Sequence, residues 1–188
     1  MSQVDTHQNL IRLPAHLVLV GMTGSGKSSV GRYLASALKR DFIDTDKKVE
    51  SSAGKSVREI FETDGEERFR QFETQVLREV LASNTQTVVA AAGGVVTRSE
   101  NRQELRERCN SGEAIVVWLR ANTAELLQRV QKGTHRPLLD KDPQGTLASM
   151  ERARTPLYEE VASVVVDTDE LTIDQVGQLV LTLLENRS

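Results

Sequence analysis

The chain has 188 residues, 38% hydrophobic and 27% charged, with a formal net charge of −3. That is apolar material enough for one soluble domain, and too even a charge balance for a chain whose main partner is nucleic acid. One cysteine, Cys109 in the polar stretch RERCNSG, excludes an internal disulfide, and no apolar run approaches the roughly 20 residues of a membrane span.

Residues 1–14, MSQVDTHQNLIRLP, lack the apolar middle of a secretory signal. They are expected as a disordered leader on a cytoplasmic protein, with residues 15–188 as a single domain. Short apolar runs then alternate with longer amphipathic ones, the pattern of an α/β domain. The runs Leu17–Val20, Phe42–Ile43, Val88–Ala91, Ile115–Leu119 and Val164–Val166 predict strands covered on both faces, as in a parallel sheet. Between them, helices are predicted over Lys27–Lys39, Ser56–Phe61 (opened by a Ser56/Glu59 capping box), Glu66–Leu81, Thr123–Gln131 and Ile173–Glu185. The polar stretch Gly133–Gly145, with two prolines and two glycines, reads as a long functional loop.

Directly after the first strand comes GMTGSGKS, Gly21 to Ser28, a match to the GxxxxGKS phosphate loop with the strand before it and the helix after it that the motif requires. Glycines let the backbone curl so that amides of Gly24, Ser25 and Gly26 point at an anion, and the helix that includes Ser29 adds the positive end of its dipole. Lys27 can neutralise β and γ oxygens, and the Ser28 hydroxyl can ligate Mg²⁺. This says nucleotide, not reaction.

Later residues narrow the chemistry. Asp44 and Asp46, in DTD after the second strand, share a face if the strand continues, one placed to hold hydrated Mg²⁺ and the other to accept a proton from an attacking hydroxyl. The same pair also reads as an acidic turn and helix cap. In FRQFE, Arg70 and Glu73 share a helix face. Gly93 and Gly94 allow backbone to approach a ligand at a strand end. Arg136 in THRPLL sits on a loop able to close over phosphates, and Arg154 in RTPLY, at the end of a helix, suits a substrate carboxylate.

Together, GMTGSGKS, DTD, FRQFE, the Gly-Gly turn, THRPLL and RTPLY followed by VASVVVDT resemble shikimate kinases, from about His16 to Arg187. The resemblance implies a nucleoside-monophosphate-kinase type of fold: a five-stranded parallel sheet in order 2-3-1-4-5 flanked by helices, with a substrate-binding helical region and a lid near residues 133–145. It implies an ATP-dependent kinase phosphorylating the 3-hydroxyl of shikimate in aromatic amino-acid biosynthesis, with Mg²⁺, acting as a monomer without nucleic acid or membrane. In its terms Lys27 binds phosphate, and Ser28 and (through water) Asp44 serve Mg²⁺. Asp46 orients or deprotonates the nucleophile, Arg70 and Arg154 clamp the carboxylate, and Glu73 braces them. Gly93 and Gly94 approach substrate, Arg136 is the lid arginine, and Arg129 lies over adenine. Ala92 departs from the family's usual third glycine and is expected to keep a negative φ. Two other readings remain: another small-molecule kinase of this fold, such as a gluconate kinase, or a nucleotide-binding regulator without transferase activity.

Overall fold

The structure, a computed structural model, describes residues 13–131 and 142–187. Five strands make the sheet: β1 (His16–Val20), β2 (Asp41–Asp44), β3 (Thr87–Ala90), β4 (Ala114–Arg120) and β5 (Val164–Asp167). All neighbouring pairs are parallel, in the expected order β2-β3-β1-β4-β5.

Among the described residues eight α-helices cover it: α1 (Lys27–Leu38), α2 (Thr45–Ala53), α3 (Val57–Thr63), α4 (Gly65–Leu81), α5 (Ser99–Asn110), α6 (Thr123–Gln131), α7 (Pro143–Val161) and α8 (Ile173–Glu185). The apolar runs of β1, β3 and most of β4 are buried on both sides, whereas the edge strand β5 buries Val164 and Val166 and leaves Val165 exposed. Leu17 and Leu19 of β1 pack with Val30 and Leu34 of α1 and Val180 of α8. Val18 and Val20 pack on the other side with Leu77 of α4, Leu105 of α5 and Leu147 of α7. Two burial directions for alternate residues are what a continuous apolar strand demands. Leu13 and Pro14 are tied to this body, their carbonyls accepting from the Arg40 guanidinium at 3.3 and 2.7 Å.

The helices depart from the sequence reading at α2, α5 and α7 and in the place of Arg154; α5 has no counterpart in that reading. α2 begins directly after β2, because the Asp44 carboxylate accepts from the amides of Asp46 (3.1 Å) and Lys47 (3.5 Å) and caps the new helix. The extended geometry assumed for DTD therefore stops at Asp44. α7 begins at Pro143, capped by Asp142, whose carboxylate accepts from the Gly145 amide at 2.9 Å. The last three residues of the expected loop are its first turn, with proline where a helix needs no amide donor. Arg154 consequently lies inside a 19-residue helix and not at its end, two residues before Pro156.

Candidate active site

At the carboxyl ends of the strands, where open α/β sheets hold ligands, the chain opens a cleft of about 570 Å³. The P-loop after β1 contributes Thr23 and Ser28 to its lining. Gly21, Gly24 and Gly26 have φ of 145°, 83° and 90°. Gly26 is the N-cap of α1 and uses that left-handed φ in place of a capping side chain, with its carbonyl accepting from the Ser29 amide at 3.0 Å. Lys27 Nζ donates to the carbonyls of Gly21 (2.9 Å) and Met22 (2.8 Å), folded across its own loop.

Ser25 is placed differently from expectation. Its side chain is buried, and its amide donates to the Met22 carbonyl at 3.2 Å, so it shapes the loop rather than facing the cleft. Ser29 is exposed in the first turn of α1.

Ser28 Oγ donates to Asp44 Oδ2 at 2.6 Å. One residue thus joins two roles that the sequence left as alternatives: Asp44 caps α2 with one oxygen and holds the P-loop serine with the other. A hydroxyl and a carboxylate are hard oxygen donors. Mg²⁺ is ordinarily held by one or two such protein groups, with phosphate and water completing its shell, so this donor set fits that ion.

The opposite part of the cleft is built by α4, α7 and the turn after β3. Arg70 Nη1 donates to Glu73 Oε2 at 2.6 Å, and Arg70 Nη2 to Glu66 Oε1 at 2.8 Å. Arg154 Nη1 donates to the Gly93 carbonyl at 3.1 Å, beside the Tyr158 hydroxyl, which donates to the same oxygen at 2.6 Å. The Gly94 carbonyl accepts from the amide (2.9 Å) and hydroxyl (2.7 Å) of Thr97. Among the described residues no bond engages the Gly93 or Gly94 amides. Neither glycine is needed for its φ, since the positive-φ glycines lie elsewhere. Gly94 is needed for room: a Cβ there would come within 1.9 Å of Arg70 Nη1. Ala92 likewise is not among the positive-φ residues, as expected, and its amide donates to Thr45 Oγ1 at 2.8 Å.

Glu73 is 2% exposed, and its Oε1 has no hydrogen-bond partner among the described residues. Burial pushes its carboxyl up to about 7; the adjacent Arg70 pulls the other way and does not win, and the nearby Asp46 carboxylate adds to the rise. Burial also pushes the Tyr158 phenol up to about 12, so it remains a donor. Phe61 and Phe69, ring centroids 4.7 Å apart, give the cleft an apolar wall.

The cleft therefore brings together Ser28, Asp44, Asp46, Arg70, Glu73, Gly93, Gly94 and Arg154. Arg129 is apart from it: its guanidinium donates to the Thr168 carbonyl (2.8 Å) and hydroxyl (3.2 Å) and to Glu125 (3.0 Å). Arg136 and most of the expected lid lie outside the described residues. Sequence reasoning passed over Thr45, Tyr158, Phe61 and Phe69. Tyr158 stood inside the RTPLY motif, but nothing in the motif says that its hydroxyl reaches back to Gly93. The two phenylalanines look in sequence like any core-facing helix positions.

Residues 23–185 match the sequence model of the family described as shikimate kinase. A shikimate kinase of Marinomonas sp. (strain MWYL1) is 41% identical over 178 residues, 94% of each chain. The structure of a shikimate kinase from Acinetobacter baumannii in complex with shikimate superposes with a TM-score of 0.87 at 36% identity, covering 94% of this chain and 96% of that one. A gluconokinase from Sinorhizobium meliloti 1021 shares the fold, at a TM-score of 0.64 and 22% identity over 93% of this chain and 94% of its own. The chain belongs to the shikimate kinase family.

Proposed function

We propose that the protein transfers the γ-phosphoryl group of ATP to the 3-hydroxyl of shikimate, releasing ADP. The observation that carries this reading is the convergence of Arg70 and Arg154 on one dipeptide, Gly93–Gly94, in the same cleft as the Ser28–Asp44 pair. Two guanidiniums are matched to a carboxylate, and an acid and two amides to hydroxyls, which is the group inventory of shikimate. The family membership, and the shikimate held by the Acinetobacter baumannii relative, support the same acceptor.

Phosphoryl transfer asks the protein for alignment and charge neutralisation more than for covalent chemistry. The amides of the P-loop and the first turn of α1 hold the donor phosphates, and Lys27 moves from its loop carbonyls to their β and γ oxygens. Ser28 and, through water, Asp44 would hold Mg²⁺, which would supply charge neutralisation to the phosphates. Arg70 and Arg154 fix the acceptor carboxylate, braced by Glu73, and Phe61 and Phe69 cover the carbon face of its ring. Asp46 accepts the hydrogen bond of the reacting hydroxyl. Arg136 closes with the lid onto the transferring group, Arg129 lies by the adenine, and the enzyme works as a cytoplasmic monomer without nucleic acid or membrane. No helix among the described residues is long and apolar enough to cross a membrane.

A coupled ADP-release assay with shikimate, gluconate and nucleoside monophosphates side by side tests the reading. ADP release with shikimate at least 100-fold more efficient than with the others is expected; equal or better turnover of gluconate would overturn it.

A further inference from the structure

A second recess, of about 400 Å³, lies on the outer side of α4, away from the cleft, between α4 and the start of α5. Most of its polar lining is already engaged. Arg98 is held between Glu67 and Glu100, and Gln75 donates to Glu79, which also faces Lys48 at 3.7 Å. Two groups are not. The Arg78 guanidinium, whose charge adds to the Arg98 hydrogen bond in holding the Glu100 carboxyl below its ordinary range, makes no hydrogen bond or close ion pair among the described residues, and the Thr74 hydroxyl is buried without a partner in a residue 6% exposed.

An exposed arginine alone says nothing, but this one stands one helical turn from an unsatisfied buried hydroxyl in the lining of a single recess. A helical threonine usually returns its hydroxyl to a carbonyl one turn back, and has a second χ1 well by which to turn toward an occupant. Both open groups are donors, so the complement is an acceptor carrying negative charge. The volume exceeds that of a bare ion and lies within the range of small-molecule sites. The aliphatic stems of Arg78, Gln75 and Arg98 supply walls for an organic body.

The recess also touches both elements that build the acceptor clamp. Thr74 follows Glu73 on α4, one turn after Arg70. Arg98 follows the 3₁₀ turn Val95–Thr97, which starts from Gly94. Because Arg70 and Gly94 leave no slack between them, anything that ties α4 to Arg98 sets their fit.

We propose that this recess binds a small organic anion, a carboxylate or a phosphate ester, through Arg78 and Thr74, and that its occupancy is coupled to acceptor binding in the cleft. The binding half stands without the proposed activity; the coupling half rests on shikimate being the acceptor.

The test uses the whole protein, isotopically labelled and saturated with ADP and shikimate so that the cleft cannot take the probe. Benzoate, phenyl phosphate and inorganic phosphate are titrated in, and backbone amide shifts are followed. Shifts confined to residues 71–79 and 98–100 are expected, with benzoate or phenyl phosphate the tighter probe according to the natural head group. Arg78→Ala should weaken binding about tenfold or more, and the near-isosteric Thr74→Val severalfold. In the ADP-release assay the bound probe should change the KM for shikimate at least threefold in wild type and not in Arg78→Ala, whose basal activity is native. No shifts, shifts only around the cleft, a bare phosphate ion binding as tightly as either aryl anion, or equal affinity in both variants would overturn the site. Binding that leaves the KM untouched would overturn the coupling. Shikimate-dependent ADP release without probe, measured on the same preparation, reports on the proposed activity separately.

Discussion

Gly94 and Arg70 compete for one volume: a methyl group on the first would occupy the place of the second's Nη1, 1.9 Å away. The guanidinium cannot retreat freely, because Glu73 and Glu66 hold it from two sides. Gly94→Ala should therefore push Arg70 out of register with the acceptor carboxylate while φ at the site stays ordinary. A displacement of about 1 Å is worth roughly 10²-fold in kcat/KM. The drop is expected for shikimate, with the KM for ATP within a few-fold of native. Steady-state kinetics with each substrate varied in turn checks this, and native kinetics would show that Arg70 does not place the acceptor.

Glu73 gives a pH signature. Its folded value of about 7 lies above the ordinary 4.5, so between those values the folded state holds a proton that the unfolded chain has released. Stability from this group is therefore greatest below about pH 4.5, declines as pH rises toward 7 and is level above it. In Glu73→Gln the contribution vanishes. The difference between wild-type and variant melting temperatures, recorded from pH 4.5 to 8, should slope between about 5 and 7 and flatten beyond. A difference curve without slope would mean that Glu73 is ionised throughout.

Asp44 serves two ends, and two substitutions separate them. Asp44→Asn keeps a side-chain oxygen for the α2 amides but loses the charge beside Ser28. It should melt close to wild type while turnover falls at least tenfold and needs more Mg²⁺. Asp44→Ala loses both and should be less stable by about 1 kcal/mol, the usual worth of an N-cap. Thermal melts and Mg²⁺ titrations of the two variants decide this; equal stability losses in both would place the cap elsewhere.

Lys27→Ala should fold, since the body of the protein does not rest on its Nζ, yet lose at least roughly 10²-fold in kcat, the scale of removing one preorganised charge-stabilising donor. Circular dichroism alongside the ADP-release assay provides the check. A folded variant with native turnover would remove Lys27 from the phosphate site.

The sheet was legible in the sequence because its inner strands are covered on both faces, which leaves uninterrupted apolar runs such as Leu17–Val20 and Val88–Ala90; β5 reads the same way although its Val165 is exposed at the sheet edge. The phosphate loop was legible because its glycines, lysine and serine are dictated by local backbone geometry. α5 was not, because in SENRQELRERCN the buried positions are Asn101 and Leu105 alone, too few to make an apolar stripe. α2 was missed because its start depends on one aspartate acting as a cap, a role that DTD shares with any acidic turn. The start of α7 was hidden by proline and glycine, which punctuate loops and first turns alike. For Arg70 and Arg154 the sequence offered a shared purpose, but their meeting at Gly93–Gly94 joins residues 61 apart and depends on the whole packing of α4 and α7 against the turn.

The glycine turn also has a polarity. The Gly93 carbonyl already accepts from Arg154 and Tyr158, and the Gly94 carbonyl accepts twice from Thr97. A carbonyl oxygen has two lone pairs, so both are full. What the turn offers a ligand is its two amides alone. An alcohol lying against it can present oxygen but has nowhere there to leave hydrogen. The acceptors for that hydrogen in the same cleft are its carboxylates, Asp46 among them. The turn thus meets a ligand as a donor only, and a group able only to donate, such as an ammonium, finds no open acceptor on it.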